Sequence, residues 1–316
     1  MATNMEGGRY SLMVHGGAGA LDERKDAPKA SAYREGIRQV LEHGRRMLAE
    51  GAAALEVVTA CAVLLEDDPL FNAGRGSVLN EEGLVEMDAA VMDGRDLAAG
   101  AVAGVRNIAN PVELARRVMS ATPHVMLVGE GAMRLAAQCG MAQVADDYFQ
   151  LPERIAQLQQ ARRTQTVTLD HVPELDAGDS EKLGTVGAVA RDVRGDLAAA
   201  TSTGGMVNKR VGRVGDTPIV GAGVYADNAS CAVSATGYGE DLMRSVLARR
   251  IADLVELRGM DAEQATRAGI DYFRLRVQGR GGVIVIDHEG NCARGFTTPN
   301  MIHGWIAHAG EAMVHL

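Results

Sequence analysis

The order of apolar and polar residues divides this chain into short alternating segments and longer periodic ones. Tyr10 to His15 alternates as a strand does, and the glycine turn HGGAG at His15 to Gly19 ends it. Pro28 to Gly51 repeats its apolar residues as an amphipathic helix does, whereas Ala53 to Glu66 is apolar on most faces, like a buried helix. A punctuated loop, DDPLFNAGRG, spans Asp67 to Gly76 and leads to short strands near Leu84 to Met92 and Ala98 to Val105. Pro111 after Asn110 marks a helix start, since the first turn has no use for the missing N–H. Val125 to Val128 reads as a strand followed by a helix to about Cys139, and another helix runs from Pro152 to about Arg163.

From Thr164 to Gly184 the chain turns polar, with little periodicity, and ELDAGDSEKLG reads as an exposed linker. Beyond it, Thr185 to Arg191 and Leu197 to Ser202 form a hairpin pattern around Val193 to Asp196, and Ile219 to Tyr225 and Ala232 to Thr236 read as further strands. Helices are expected at about Glu240 to Arg258 and Asp261 to Val277, before a last hairpin of Val283 to Ile286, the turn DHEGN, and Cys292 to Phe296. Tight turns join antiparallel neighbours, because parallel pairs need long crossovers. The helices come in sequential pairs rather than alternating singly with strands. The expected class is therefore α+β, a four-layer αββα sandwich of two stacked antiparallel sheets with helices outside both. The polar segment before Thr185 need not divide domains, since the strands after it need partners and the helices before it need a sheet. Residues 1–316 are read as one domain.

Composition narrows the functional classes. Over 316 residues, 47% hydrophobic and 23% charged content fits a globular protein with a substantial core. A net charge of −9 without a long Lys/Arg cluster removes the electrostatic footprint of a nucleic-acid partner. The longest apolar stretch, Ala52 to Leu65, is broken by Glu56 and is shorter than the ~20 residues of a membrane span. The start MATNMEGGRY lacks a basic-then-apolar leader pattern, so the expected location is cytoplasmic. Cys61, Cys139, Cys231 and Cys292 lie far apart and read as reduced, partly buried thiols. Aromatics are only 3% while glycines number 38, so the core is built from Ala, Val, Leu and Met, and backbone approaches backbone closely.

Candidate chemistry starts at Gly184-Thr185, where the linker runs into the apolar strand GTVGAVA. If the bond between them is cut, Thr185 carries a hydroxyl beside its own α-amine, whose pKa is ~7.7–8.0. That amine suits removal of the hydroxyl proton near neutral pH without a separate histidine. The β-methyl of threonine restricts χ1 and so aims the hydroxyl. Taken locally, the same residues also fit an ordinary strand start. Thr203 and Thr236 each end a predicted strand and precede glycine, exposing a hydroxyl beside bare N–H groups as an oxyanion hole requires. Arg213 and Asp216, in the glycine-rich GRVGD, place a donor fork near an acceptor, fit for an amino acid's α-carboxylate and α-ammonium. A surface Arg–Asp pair is the plainer alternative.

Taken together, HGGAG, PLFNAG, MDAAVMDG, GTVGAVA, TSTGG, GRVGD, GAGVYAD and ATGYGE resemble, nearly end to end, the plant-type asparaginases. These are also called isoaspartyl peptidases, the asparaginase type 2 family of N-terminal nucleophile hydrolases. The resemblance implies autoproteolysis into an α-chain of 1–184 and a β-chain of 185–316, with Gly184 and Thr185 flanking the cut and Thr185 as nucleophile. It implies that Thr203 bonds the nucleophile and that Thr236 and Gly237 stabilise the oxyanion. Arg213, Asp216, Gly237 and Gly239 would hold the substrate, and Asn72 would orient the new amine. It further implies a structural sodium held mainly by the backbone carbonyls of Leu65, Glu66, Asp68, Phe71, Ala73 and Arg75, with no cofactor for catalysis. L-asparagine and β-aspartyl peptides are the expected substrates, and a homodimer of cleaved αβ units the expected assembly. Tyr238 departs from the small residue that relatives often carry, which leaves leaving-group preference open. A glycosylasparaginase-like or protease-like member of the superfamily, or an inactive protein that kept the fold, stay as alternatives; the first lacks support from Gly rather than Asp before Thr185.

Other motifs carry less. GAGVYA at Gly221 to Ala226 fits a dinucleotide fingerprint but opens no helix. His15, His43, His124, His171, His288, His303 and His308 lack metal-ligand spacing, and no G-x-S-x-G elbow is present. The basic face of Met243 to Arg258 reads as solvated.

Overall fold

Strand β1 (Ser11–Gly19) opens the described part of the chain, which in this computed structural model comprises residues 9–19, 21, 26–164, 166–167 and 184–316. Most of the linker expected between Thr164 and Gly184, His171 included, and residues 1–8 lie outside the described residues. Helices α1 (Ala27–Ala49) and α2 (Ala54–Asp67) come next, followed by β2 (Met87–Asp93), β3 (Ala99–Val105), α3 (Pro111–Ala121), β4 (Met126–Val128), α4 (Gly129–Gln138) and α5 (Pro152–Thr164). After Gly184 come β5 (Val186–Arg191), β6 (Leu197–Thr203), β7 (Val224–Ala226) and β8 (Cys231–Gly237). Helices α6 (Gly239–Ser245), α7 (Leu247–Arg258) and α8 (Ala262–Val277) lead to β9 (Gly281–Asp287), β10 (Cys292–Phe296), β11 (Asn300–Ile306) and β12 (Met313–His315).

The strands form one sheet in the order β12-β11-β1-β5-β6-β2-β3-β4 and a second in the order β10-β9-β8-β7. Alternation along each central strand sends successive residues to opposite layers. Leu12 and Val14 of β1, Ala188 of β5 and Ala200 of β6 join the core beneath α1, α2 and α3. Met13, Val189 and Ala199 face the second sheet, whose outer face is covered by α7 and α8. This is the expected α+β sandwich of two stacked sheets between helical layers. The small residues Ala90, Ala101, Ala199, Ala232 and Ala235 line the inter-sheet core, consistent with the shortage of aromatics.

Local signals account for the helix starts. Asp26 caps α1 by accepting from Lys29 N at 3.0 Å, with Pro28 in the first turn. Asp261 and Gln264 form a reciprocal capping box on α8. At the start of α2, Ala53 has no side-chain acceptor; Glu56 accepts from Ala53 N at 3.3 Å, and Asp192, from the β5–β6 turn, accepts from Ala54 N at 3.0 Å.

Several expectations are corrected. HGGAG is not a turn: β1 runs on through Gly19, and a bulge between His15 and Gly17 keeps it paired with β11. The strand expected from Ile219 to Tyr225 shrinks to Val224–Ala226, because residues before it turn back on themselves, with Ala222 and Gly223 N both donating to Ile219 O. The helix expected from Glu240 to Arg258 breaks at Val246, whose φ is 49°, and Arg249 N at the start of α7 donates to Gly221 O. Strands β3 and β4 pair parallel, through α3. Strands β11 and β12 were not anticipated; β11 pairs with β1 at the other end of the chain, and β12 pairs with β11. No helix among the described residues is long and apolar enough to cross a membrane.

Candidate active site

Thr185 is buried immediately before β5. The pairing of Val186 with Ser202 lays it beside the end of β6, and its Oγ1 donates to Thr203 Oγ1 at 3.1 Å. Thr203 Oγ1 in turn accepts from Gly205 N at 3.0 Å, which pins the acceptor where the strand ends. On the other side, β1 brings Gly17 against the Gly184 backbone. Its φ is +112°, and a Cβ there would stand 2.4 Å from Gly184 N and 2.9 Å from Gly184 O. Only glycine supplies both that backbone geometry and that clearance.

Beneath the nucleophile, His15 Nε2 lies 2.8 Å from Ser234 Oγ, which lies 2.7 Å from Thr201 Oγ1, which donates to Gly223 O at 3.2 Å. This polar chain ties the first sheet to the second through an otherwise apolar core. Burial pushes the His15 imidazole down to about 3; the Thr185 backbone favours its charged form, but not enough to offset burial. His15 is therefore neutral near pH 7 and serves as a hydrogen-bonding strut.

Thr236 is the penultimate residue of β8 on the facing sheet, and its Oγ1 accepts from Ala18 N at 3.3 Å. That bond uses a lone pair and leaves the hydroxyl proton free to donate into the site. Gly237, next in sequence, pairs with Gly281 of β9. Tyr238 follows half-buried at the start of α6, its N donating to Arg280 O at 2.8 Å.

The GRVGD loop brings Arg213 and Asp216 to the same region. Gly239 separates them from α6: a Cβ there would meet Arg213 Nη2 at 2.8 Å and Asp216 Oδ1 at 3.0 Å. Sequence reasoning missed Glu240, whose carboxylate takes Arg213 Nε at 3.0 Å and Nη2 at 2.8 Å. Burial disfavours the Arg213 cation, but the hydrogen bonds and charge of Glu240 outweigh it and hold the group above its ordinary value. Burial pushes Asp216 up to about 7 against the pull of Arg213, and its Oδ2 is buried without a hydrogen-bond partner. A buried acceptor of this kind beside a cationic fork matches the two ends of an amino acid.

Asn72 donates to Gly205 O at 2.8 Å and accepts from Val78 N at 3.0 Å, while its own carbonyl accepts from Gly204 N at 3.0 Å. It staples the loop after α2 to the segment following Thr203. Leu65, Glu66, Asp68, Phe71, Ala73 and Arg75 all lie on this loop or the end of α2. The loop is tight: a Cβ at Gly74 would stand 2.4 Å from Glu66 O, and one at Gly76 would stand 2.0 Å from Phe71 O and 2.7 Å from Pro69 O. The Glu66 side chain is spent elsewhere, accepting from Ser202 Oγ at 2.6 Å and Val112 N at 3.0 Å, with burial pushing it up to about 8.

A threonine just ahead of a strand between stacked sheets, its hydroxyl bonded to that of a second threonine at the end of the neighbouring strand, fits the arrangement of an N-terminal nucleophile hydrolase. The sequence profile of the asparaginase family matches residues 8–316, and the chain belongs to that family. It is 48% identical to an isoaspartyl peptidase of Salmonella typhimurium, covering 95% of this chain and 96% of the relative. It is 47% identical to an isoaspartyl peptidase of Escherichia coli, over 96% and 94%. An isoaspartyl peptidase/L-asparaginase of Homo sapiens is 44% identical, over 92% and 91%.

Proposed function

We propose that this protein cuts itself between Gly184 and Thr185 and then hydrolyses β-aspartyl (isoaspartyl) peptides and the side-chain amide of L-asparagine. The observation that carries the reading is the Thr185–Thr203 hydroxyl contact at 3.1 Å, immediately before a strand, with Thr236 on the facing sheet. The names and extent of the relatives support the substrate class.

In the first event Thr185 Oγ1 attacks the Gly184 carbonyl, the C–N bond breaks, and the resulting ester is hydrolysed to leave a Gly184 carboxylate and a free Thr185 amine. That amine, with a pKa of ~7.7–8.0, can then take the proton of its own hydroxyl. Arg213 binds the substrate α-carboxylate and Asp216 its α-ammonium, which places the side-chain carbonyl at Thr185. Acyl transfer develops negative charge on that oxygen, and the Thr236 hydroxyl and Gly237 N–H stabilise it. The amine or ammonia leaves, and water releases aspartate from Thr185.

Sodium fits the loop after α2. The final carbonyls of a helix lack intrahelical partners and favour a cation, and Gly74 and Gly76 let the loop close tightly against the carbonyls of Glu66 and Phe71. Leu65, Glu66, Asp68, Phe71, Ala73 and Arg75 would hold it through their carbonyls. Its charge would fix the loop that carries Asn72, away from the reacting bond.

Replacement Thr185→Ala tests the proposal. Both self-cleavage, followed by mass spectrometry, and turnover of a β-aspartyl dipeptide are expected to vanish while the thermal unfolding transition persists. Turnover by an uncut Thr185→Ala protein would refute it.

A further inference from the structure

The loop that carries Arg213 and Asp216 is held by carboxylates from the other side of the Gly184–Thr185 bond. Glu81 Oε1 accepts from Val211 N at 3.2 Å, and both Glu86 carboxylate oxygens accept from Gly212 N at 3.2 Å. Asp88 Oδ2 accepts from Gly215 N at 3.3 Å, and its Oδ1 from Gly104 N at 2.9 Å. Lys209, at the head of the loop, is buried and donates from Nζ to Glu86 O at 2.6 Å. Its charge offsets part of the burial that pushes the fully buried Asp88 carboxyl up.

Asp88 has a second relation to the site. In the β2–β6 ladder it stands directly opposite Thr203, whose hydroxyl accepts a hydrogen bond from Thr185 Oγ1. One residue therefore joins, through its backbone pairing, the strand that sets the nucleophile and, through its side chain, the loop that sets the docking groups. Residues 208–216 contain no helix or strand, so such bonds fix their path where no ladder does. For stability alone, an apolar pair in place of the buried carboxylate and ammonium would serve as well.

We propose that Asp88, backed by Glu86 and Lys209, is a positioning residue that fixes Arg213 and Asp216 relative to Thr203 and so sets substrate affinity without touching substrate. The proposal rests on the reading of Arg213 and Asp216 as the docking pair. Once the chain is cut, the carboxylates and the loop belong to different polypeptides, so the docking geometry is built across the two fragments.

The test uses Asp88→Asn in the full chain. Its amide leaves one acceptor oxygen for two backbone donors, Gly104 N and Gly215 N. Self-cleavage is expected to proceed within about twofold of the parent rate and kcat to stay within about threefold, while KM for a β-aspartyl dipeptide rises about tenfold or more. Glu86→Gln should show the same split more weakly. The double variant Asp88→Asn/Lys209→Met removes the ammonium left unpaired and keeps the test open if the single variant does not fold. Added to Arg213→Ala, Asp88→Asn should raise KM by a smaller factor than it does in the parent, because part of its effect runs through Arg213. An unchanged KM in Asp88→Asn while Arg213→Ala still raises it overturns the proposal, as does a parallel fall of kcat, self-cleavage and melting temperature with KM unmoved. An unchanged KM in Arg213→Ala removes the docking reading and this proposal with it.

Discussion

Asp216 presents a buried oxygen with nothing to accept from, and that single atom has a consequence for pH. Burial pushes the free carboxyl up to about 7, so acidification below that value protonates it and removes the acceptor for an α-ammonium. Accordingly kcat/KM should rise with pH through about 7, whereas kcat, measured with the ammonium already bound, should follow the Thr185 amine alone. Paired pH profiles of the two parameters check this, and coincident profiles would count against the assignment. Thr185, Thr203, Thr236, Arg213 and Asp216 stand out in the sequence because each borders glycine at a strand end or in a loop. Glu240 does not, since nothing in ATGYGE shows that its carboxylate closes on an arginine 27 residues earlier. Glu240→Ala frees the Arg213 fork on its Nε edge, and KM should rise by about tenfold with self-cleavage intact.

Strand β1 shows how an element can be read correctly and still end in the wrong place. Glycines in HGGAG signal a turn when only neighbours are considered, yet pairing with β11 carries the strand through them. The bulge between His15 and Gly17 re-aims the backbone so that Gly17 lies against Gly184. Gly17→Ala should therefore slow self-cleavage by about tenfold or more, because its Cβ displaces the peptide to be cut. A time course on denaturing gels measures that rate, and cleavage at the parent rate would contradict the contact. The same strand supplies His15 to the polar chain through Ser234 and Thr201. Ser234→Ala leaves His15 Nε2 buried without its partner and should lower unfolding stability by about 1–3 kcal/mol in urea titrations. The break at Val246 was beyond sequence reasoning for a related reason: helical periodicity continues across it, and only the distant Gly221 carbonyl gives α7 its separate start.

Across the whole molecule, the order β1-β5-β6-β2 interleaves strands from both sides of residue 184 in a single sheet. The four layers were legible because strand and helix patterns alternate in groups and the tight turns demand antiparallel neighbours. Strand order was not, since hydrophobic alternation says which residues face inward but not which distant strand lies alongside. That interleaving also explains why fragments 1–184 and 185–316 should remain together after the cut, held by ladders and a shared core. The central claim is that Thr185 must become a chain start before its own amine can serve as the base. The most direct measurement is a time-resolved mass and N-terminal sequence determination on the purified protein, sampled alongside β-aspartyl dipeptide hydrolysis. Activity should grow in step with a fragment beginning at Thr185, whereas full activity in a chain of 316 residues still joined at Gly184 would contradict the account.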